Sequence, residues 1–240
     1  MRVAFFGGTF DPIHRGHLGL ASAAADAFAL DRVLFAPVGQ QPLKSAPAIA
    51  SFADRLAMAR LACNPEPASA PSLLSSRSEG GVPGERFLLA GVQAEGSASP
   101  RTPPDPCFAV STLDAPRADG APNYTVDSLA ALARLLPTAS LYVLAGADSF
   151  LDLRRWRSPD RLLALAEWIV VSRPDFPLSE AQIAPLDLTP AQRARVHLLT
   201  TLNEEVSATN LRRRLQAGDP CPGLLPPAVA SYILSHHLYR

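Results

Sequence analysis

Residues Gly7 to His17 read Gly-Gly-Thr-Phe-Asp-Pro-Ile-His-Arg-Gly-His. The run lies between a short apolar stretch, Val3 to Phe6, and a helical pattern rich in Ala and Leu, Leu18 to Leu30. A buried strand, a glycine-rich turn and a helix start are the parts of a phosphate-binding loop. That order commits the chain to a strand–loop–helix unit, and such units build α/β folds.

The chemistry follows from the residue types. Gly7 and Gly8 are expected to turn the backbone sharply, so that the amides after them, through Thr9 and Phe10, approach a ligand with no Cβ in the way. Gly16 allows the same close approach at the helix start, where the helix dipole favours an anion. His14 and His17 are three residues apart and can converge on one phosphate group. Imidazole donates a hydrogen bond and, when protonated, supplies a charge. Phosphoryl and nucleotidyl transfers need in-line positioning and charge stabilisation more than covalent work from the protein. A lone histidine near a helix start is usually a surface residue or a cap, and a glycine pair is usually just a turn. The joint pattern in one short run points further, to a nucleotide whose phosphates are transferred. It is neither the G-x-G-x-x-G fingerprint nor a Walker loop, since no Gly-Lys-Ser/Thr follows.

Composition sets the bounds. The chain has 240 residues, enough for one large α/β domain or two small ones. We read it as a single domain over 1–240 with an insertion at about 64–106. Lys+Arg and Asp+Glu both number 22, so charge gives no argument for nucleic acid or a membrane surface. The 48% hydrophobic content supports a sizeable core. Three scattered cysteines, Cys63, Cys107 and Cys221, imply a reducing compartment, hence the cytoplasm. No Cys-x-x-Cys or paired Cys/His spacing offers a zinc site, and no metal ligands are assigned. Charges and prolines interrupt every apolar run before it reaches membrane-spanning length.

Strand-like and helical runs alternate along the chain. Val33 to Pro37, Leu141 to Ala145 and Trp168 to Ser172 read as strands, with a weaker one at His197 to Thr200. Phe52 to Ala62, Tyr124 to Leu136 and Arg161 to Leu165 read as helices. This alternation predicts a doubly wound parallel sheet, with ligands beyond the carboxyl ends of the strands. Asn64 to Pro106 breaks the pattern: it is dense in Pro, Ser and Gly, and only Arg86 to Val92 could form an element.

Towards the C-terminus, Ser207-Ala208-Thr209-Asn210-Leu211-Arg212 opens a helix, with Ser207 or Thr209 as N-cap and Gly218 and Pro220 as the stop. Two hydroxyls, a helix start and an arginine suit a polyphosphate tail. Gly146-Ala147-Asp148-Ser149 follows a strand, where an Asp can accept from ribose hydroxyls. Trp156, ten residues past Gly146, offers a flat stacking surface.

Gly7 to His17 resembles the signature of the HxGH nucleotidyltransferase superfamily, and its wording is most similar to the bacterial nicotinate-nucleotide adenylyltransferases. The resemblance extends to Ser207, Thr209 and Arg212, to the GADSF…W spacing, to Asn123-Tyr124-Thr125, to Ser172-Arg173-Pro174 and to the C-terminal LPPAV…LY segment. It implies a Rossmann-like nucleotidyltransferase fold ending in a helical segment. It also implies transfer of the adenylyl group of ATP, accompanied by Mg²⁺, to nicotinate mononucleotide, releasing pyrophosphate. His14, His17, Lys44 and Arg212 would then be catalytic. ATP would contact the loop from Gly7 to Phe10, Gly16 and both histidines, with Arg173 on the adenine side. Ser207, Thr209 and Arg212 would hold its outer phosphates. The acceptor would meet Gly146, Asp148, Trp156 as stacking partner, and Thr125 with the amide of Arg157 at its carboxylate. Two positions depart from the family: Leu43 stands where a His precedes Lys44, and Asn123 replaces Ser. Another phosphate acceptor, such as nicotinamide mononucleotide, and a non-catalytic nucleotide-binding module are the competing readings.

Overall fold

The computed structural model describes residues 1–43, 46–63, 107–172, 178–200 and 206–240. The insertion from Asn64 to Pro106, with its candidate element Arg86 to Val92, lies outside the described residues, as do Lys44 and Arg173.

Six strands form one parallel sheet in the order β3-β2-β1-β4-β5-β6. They are β1 (Arg2–Gly8), β2 (Arg32–Pro37), β3 (Cys107–Val110), β4 (Ser140–Gly146), β5 (Glu167–Ser172) and β6 (Val196–Thr200). The apolar runs read as strands because both sheet faces are covered. In β1, Ala4 and Phe6 pack into one core while Val3 and Phe5 pack into the other. The same alternation runs through β2, β4 and β5, as the two-residue period of a strand requires.

One core is closed by α1 (Arg15–Phe28), α2 (Phe52–Cys63), α8 (Ala208–Gln216) and α9 (Pro227–Ser235). In α1 the buried residues are Ala21, Ala24 and Ala25, spaced for one helix face and small enough for close packing on the sheet. The other core is closed by α3 (Thr125–Leu135) and α5 (Pro159–Leu165). Between them come α4 (Ala147–Leu151) and a 3-10 turn at Leu153–Arg155. The stretch between β5 and β6 adds two short helices, α6 (Glu180–Ile183) and α7 (Pro190–Arg193). No helix among the described residues is long and apolar enough to cross a membrane.

The sheet topology places the functional site. Pairing of β1 with β2 continues to Gly8 opposite Pro37. Pairing of β1 with β4 ends at Phe5 opposite Val143. The two strands therefore part beyond Phe5, and a crevice opens at the strand-order reversal where α/β sheets bind ligands.

Two sequence expectations are corrected here. Gly7 and Gly8 do not form the turn: both continue β1, and Phe10 takes the left-handed backbone, with φ 48°. The glycines supply clearance instead. A Cβ on Gly8 would lie 2.9 Å from the Phe10 ring, and one on Gly7 would lie 3.1 Å from the Phe5 ring. The second correction is β3, which the sequence reading did not identify. It has only four residues, directly after a proline-rich stretch, too few to show a period.

Among the described residues, Gly39 has a very tight glycine contact. A Cβ there would fall 2.6 Å from the backbone of Pro116 and 2.8 Å from Asn123 Oδ1. Gly39→Ala should therefore destabilise the protein by about 3 kcal/mol, the upper part of the overpacking range. A urea midpoint indistinguishable from that of the parent would show that the 111–116 loop yields freely.

Candidate active site

At the carboxyl end of β1 the chain crosses Thr9 and Phe10 and enters α1 through His14, its N-cap. Gly16 and His17 are the second and third helical residues, so the helix begins earlier than the Leu18 read from the sequence. The two imidazoles stack, with ring centres 3.7 Å apart. Gly16 makes room for this: a Cβ there would lie 3.1 Å from His14 Nδ1 and 3.4 Å from Val206 Cβ. The His14 amide donates to His17 Nδ1 at 3.3 Å, which leaves Nε2 to carry the proton of neutral His17. Phe6 and Phe10 present their rings against His17, with centres 6.0 and 5.0 Å away.

The two histidines differ in environment. His17 lines a cavity of about 470 Å³, whereas His14 is buried behind it. Burial pulls the His14 pKa down to about 4. His14 Nδ1 has no hydrogen-bond partner among the described residues. Near neutral pH, His14 is thus an uncharged ring rather than a cation.

The motif loop is pinned by two charges that the sequence reading did not assign. The Asp11 carboxylate is 4% exposed. It accepts from the amides of Ile49 and Ala50 at 2.8 and 3.1 Å, and from the Tyr239 hydroxyl at 2.7 Å. Arg55, 2% exposed on α2, donates to the carbonyl oxygens of Thr9 and Ala50 at 2.7 and 3.3 Å. Burial lowers the Arg55 pKa, and Asp11 opposes that shift. Arg212, on α8, donates to the Asp11 carbonyl at 2.7 Å and to Thr209 Oγ1 at 3.2 Å. Ser207 occupies the N-cap of α8 but makes no side-chain capping bond. Arg213 and Arg214 face elsewhere, towards Asn210 and Asp219.

Across the cavity stand the residues expected on the acceptor side. Thr125 is the first residue of α3 and lines the cavity with Tyr124 and Asn123. Trp156 and Arg157 line it from the segment after the 3-10 turn, and the Arg157 guanidinium lies over the Tyr124 ring, 4.6 Å from its centre. Gly146 and Ser149 line the cavity; Asp148 is exposed and does not. Of the two departures from the family pattern, Leu43 lines the cavity and is 42% exposed. Asn123 is buried and bridges two loops, accepting from the Gln40 amide at 3.0 Å and donating to the Ala115 carbonyl at 2.8 Å.

Asp114 is a further cavity residue with no signal in the sequence pattern. It is 4% exposed, accepts a hydrogen bond from Ser128 Oγ, and faces the Gly7 backbone. Burial raises its pKa to about 6, against the Ser128 hydrogen bond. The other cavity carboxylate, Asp152, pairs with Arg155 at 3.1 Å.

Residues 5–214 match the cytidylyltransferase-like family. The chain is 35% identical over 238 residues to a protein of Roseiflexus sp., spanning 99% of this chain and 98% of that one. It is 35% identical over 242 residues to a protein of Thermus thermophilus, spanning all of both. Both carry the name probable nicotinate-nucleotide adenylyltransferase. Among solved structures, the fold resembles Plasmodium falciparum nicotinic acid mononucleotide adenylyltransferase complexed with NaAD. The TM-score is 0.67 at 16% identity, covering 99% of this chain and 97% of that one.

The raised Asp114 pKa has a measurable consequence. Folded Asp114 holds its proton to about pH 6, whereas the unfolded residue releases it near its ordinary value of 3.8. As pH rises between those values the folded state binds more protons, so the parent loses stability. The loss approaches about 3 kcal/mol once both states are ionised. Asp114→Asn removes it, so the variant should gain on the parent from pH 4 to 6 and hold that gain above. A parent–variant difference that is flat with pH, from urea unfolding, would contradict this.

Proposed function

Because the chain belongs to the cytidylyltransferase-like family and, within it, to the nicotinate-nucleotide adenylyltransferases, we propose that this cavity transfers the adenylyl group of ATP to nicotinate mononucleotide. The products are nicotinate adenine dinucleotide and pyrophosphate, a step of NAD biosynthesis. The observation that carries the site assignment is the stacked His14–His17 pair at the start of α1, where β1 and β4 part.

An acceptor phosphate oxygen attacks the α-phosphorus of ATP in line, and the bond from that phosphorus to the pyrophosphate oxygen breaks. No covalent enzyme intermediate forms. His17 offers its Nε2 proton to oxygens on the α-phosphate, where negative charge builds during transfer. His14 starts neutral, and a polyphosphate beside it favours its charged form. Gly7, Gly8 and Gly16 let the Phe5, Phe10 and His14 rings pack against the loop, and the phosphate chain lies along that loop and the first turn of α1. The outer phosphates fall to Ser207, Thr209 and Arg212, and the charge on Arg212 receives the departing pyrophosphate. Lys44 adds a second cation and Arg173 an adenine-side contact, both assigned on the sequence alone.

Trp156 stacks on the pyridine ring. Its carboxylate is held by Thr125, at the amino end of α3, and by the Arg157 amide; a helix start favours such an anion. Gly146 leaves open space for the ribose; Asp148, assigned to its hydroxyls on the sequence alone, stands outside the cavity lining. Asp114 and Asp152 are already engaged, so the residues fit a Mg²⁺ that enters with the triphosphate, held by phosphate oxygens and water. Bound there, Mg²⁺ supplies charge neutralisation on the triphosphate. The cytoplasm, which supplies ATP and keeps thiols reduced, is the compartment this reading implies.

Two measurements test these roles. Pyrophosphate release from ATP and Mg²⁺ should strongly prefer nicotinate mononucleotide to nicotinamide mononucleotide. Preference for the nicotinamide form would keep the chemistry and overturn the carboxylate assignment. His17→Ala should lower turnover by roughly two to three orders of magnitude, as for loss of one preorganised donor. Near-parental turnover in folded His17→Ala would remove His17 from the mechanism.

A further inference from the structure

Arg212 is aimed from outside its own helix. It lies in the second turn of α8, and its strongest restraint is the main-chain carbonyl of Asp11, 2.7 Å from Nη1. The Asp11 carboxylate stands close by, with Oδ2 4.0 Å from the same nitrogen. That distance is too long for a hydrogen bond, so Arg212 engages the carbonyl and leaves the carboxylate to other donors.

Those donors are the Ile49 and Ala50 amides and the Tyr239 hydroxyl. Tyr239 follows α9 and is 4% exposed. Its backbone and that of His237 are left-handed, with φ 61° and 53°, which folds this segment back onto the motif loop. Burial and the neighbouring carboxylate both push the Tyr239 hydroxyl to a higher pKa, so it stays a donor across the working pH range.

We infer that Tyr239 is a positioning residue for adenylyl transfer: through Asp11 it holds the Arg212 guanidinium towards the pyrophosphate. The reason is electrostatic balance in a buried site. A carboxylate withdrawn from water needs its full set of donors. Without the hydroxyl, Asp11 is short of one donor. Arg55 donates to Thr9 and Ala50, whereas an Arg212 nitrogen already stands 4.0 Å from the carboxylate, so Arg212 is the cation placed to make up the shortfall. Arg212 then closes the 4.0 Å gap and turns its charge from the leaving group to Asp11. Turnover suffers, while the acceptor, bound across the cavity, does not notice.

This rests on the role given to Arg212 above, and a double-mutant cycle separates the two. Tyr239→Phe, Arg212→Ala and the double variant of the full chain are assayed with ATP and nicotinate mononucleotide. Thermal midpoints establish that each is folded. Tyr239→Phe should lower kcat about tenfold, with the KM for nicotinate mononucleotide unchanged, as for a weakened charge contact to the leaving group. In the Arg212→Ala background the same substitution should change kcat less than about twofold. Equal losses in both backgrounds, or no kcat loss in folded Tyr239→Phe, would overturn the inference and leave the Arg212 role intact. Parental kcat in Arg212→Ala would overturn both. Asp11→Asn gives a second route to the coupling, and its kcat loss should also vanish without Arg212.

Discussion

The buried carboxylate of Asp11 is the contact on which the site depends. It takes two amides from the 49–50 segment and a hydroxyl from the segment after α9, while its own carbonyl holds the arginine of α8. Arg55 ties the same loop to α2 from the other side. Buried ionised groups persist only when paired and hydrogen-bonded, so this cluster is stable only when all its segments are in place. Segments far apart in sequence thus meet at one residue of the motif, and the loop that carries His14 cannot move independently of them.

The sheet determines where that loop sits. Because β1 stays with β2 to Gly8 but leaves β4 after Phe5, the motif opens onto a crevice, not a closed layer. Within it, charge is sparingly deployed. His14 is kept neutral by burial, burial holds the Asp114 carboxyl above the usual carboxylate range, and Asp152 is paired with Arg155. A cavity with few uncompensated charges admits a triphosphate without strong repulsion. Its preorganised donors then act as charge moves towards the leaving group.

Much of the fold was legible because parallel strands covered on both faces appear as unbroken apolar runs, as in Leu141 to Ala145 and Trp168 to Val171. The motif was legible because its residue types are rare in combination. The glycines show the limit of local pattern: a Gly-Gly pair reads as a turn, yet here it gives clearance to the Phe5 and Phe10 rings, and Phe10 bears the left-handed backbone. The Asp11–Tyr239 bond joins residues 228 positions apart, and no local pattern signals it. Asp114 and Arg55 were silent for the same reason: their meaning lies in burial and in partners brought together only by the fold.

The most direct test of the central claim follows the phosphorus atom. The protein would be incubated with ATP labelled at the α-phosphate, Mg²⁺ and nicotinate mononucleotide, and the label traced. The expected result is label in the dinucleotide, none in pyrophosphate and none bound to protein. Labelled protein that chases into product would contradict direct in-line transfer, and label confined to ATP would contradict the transferase assignment itself.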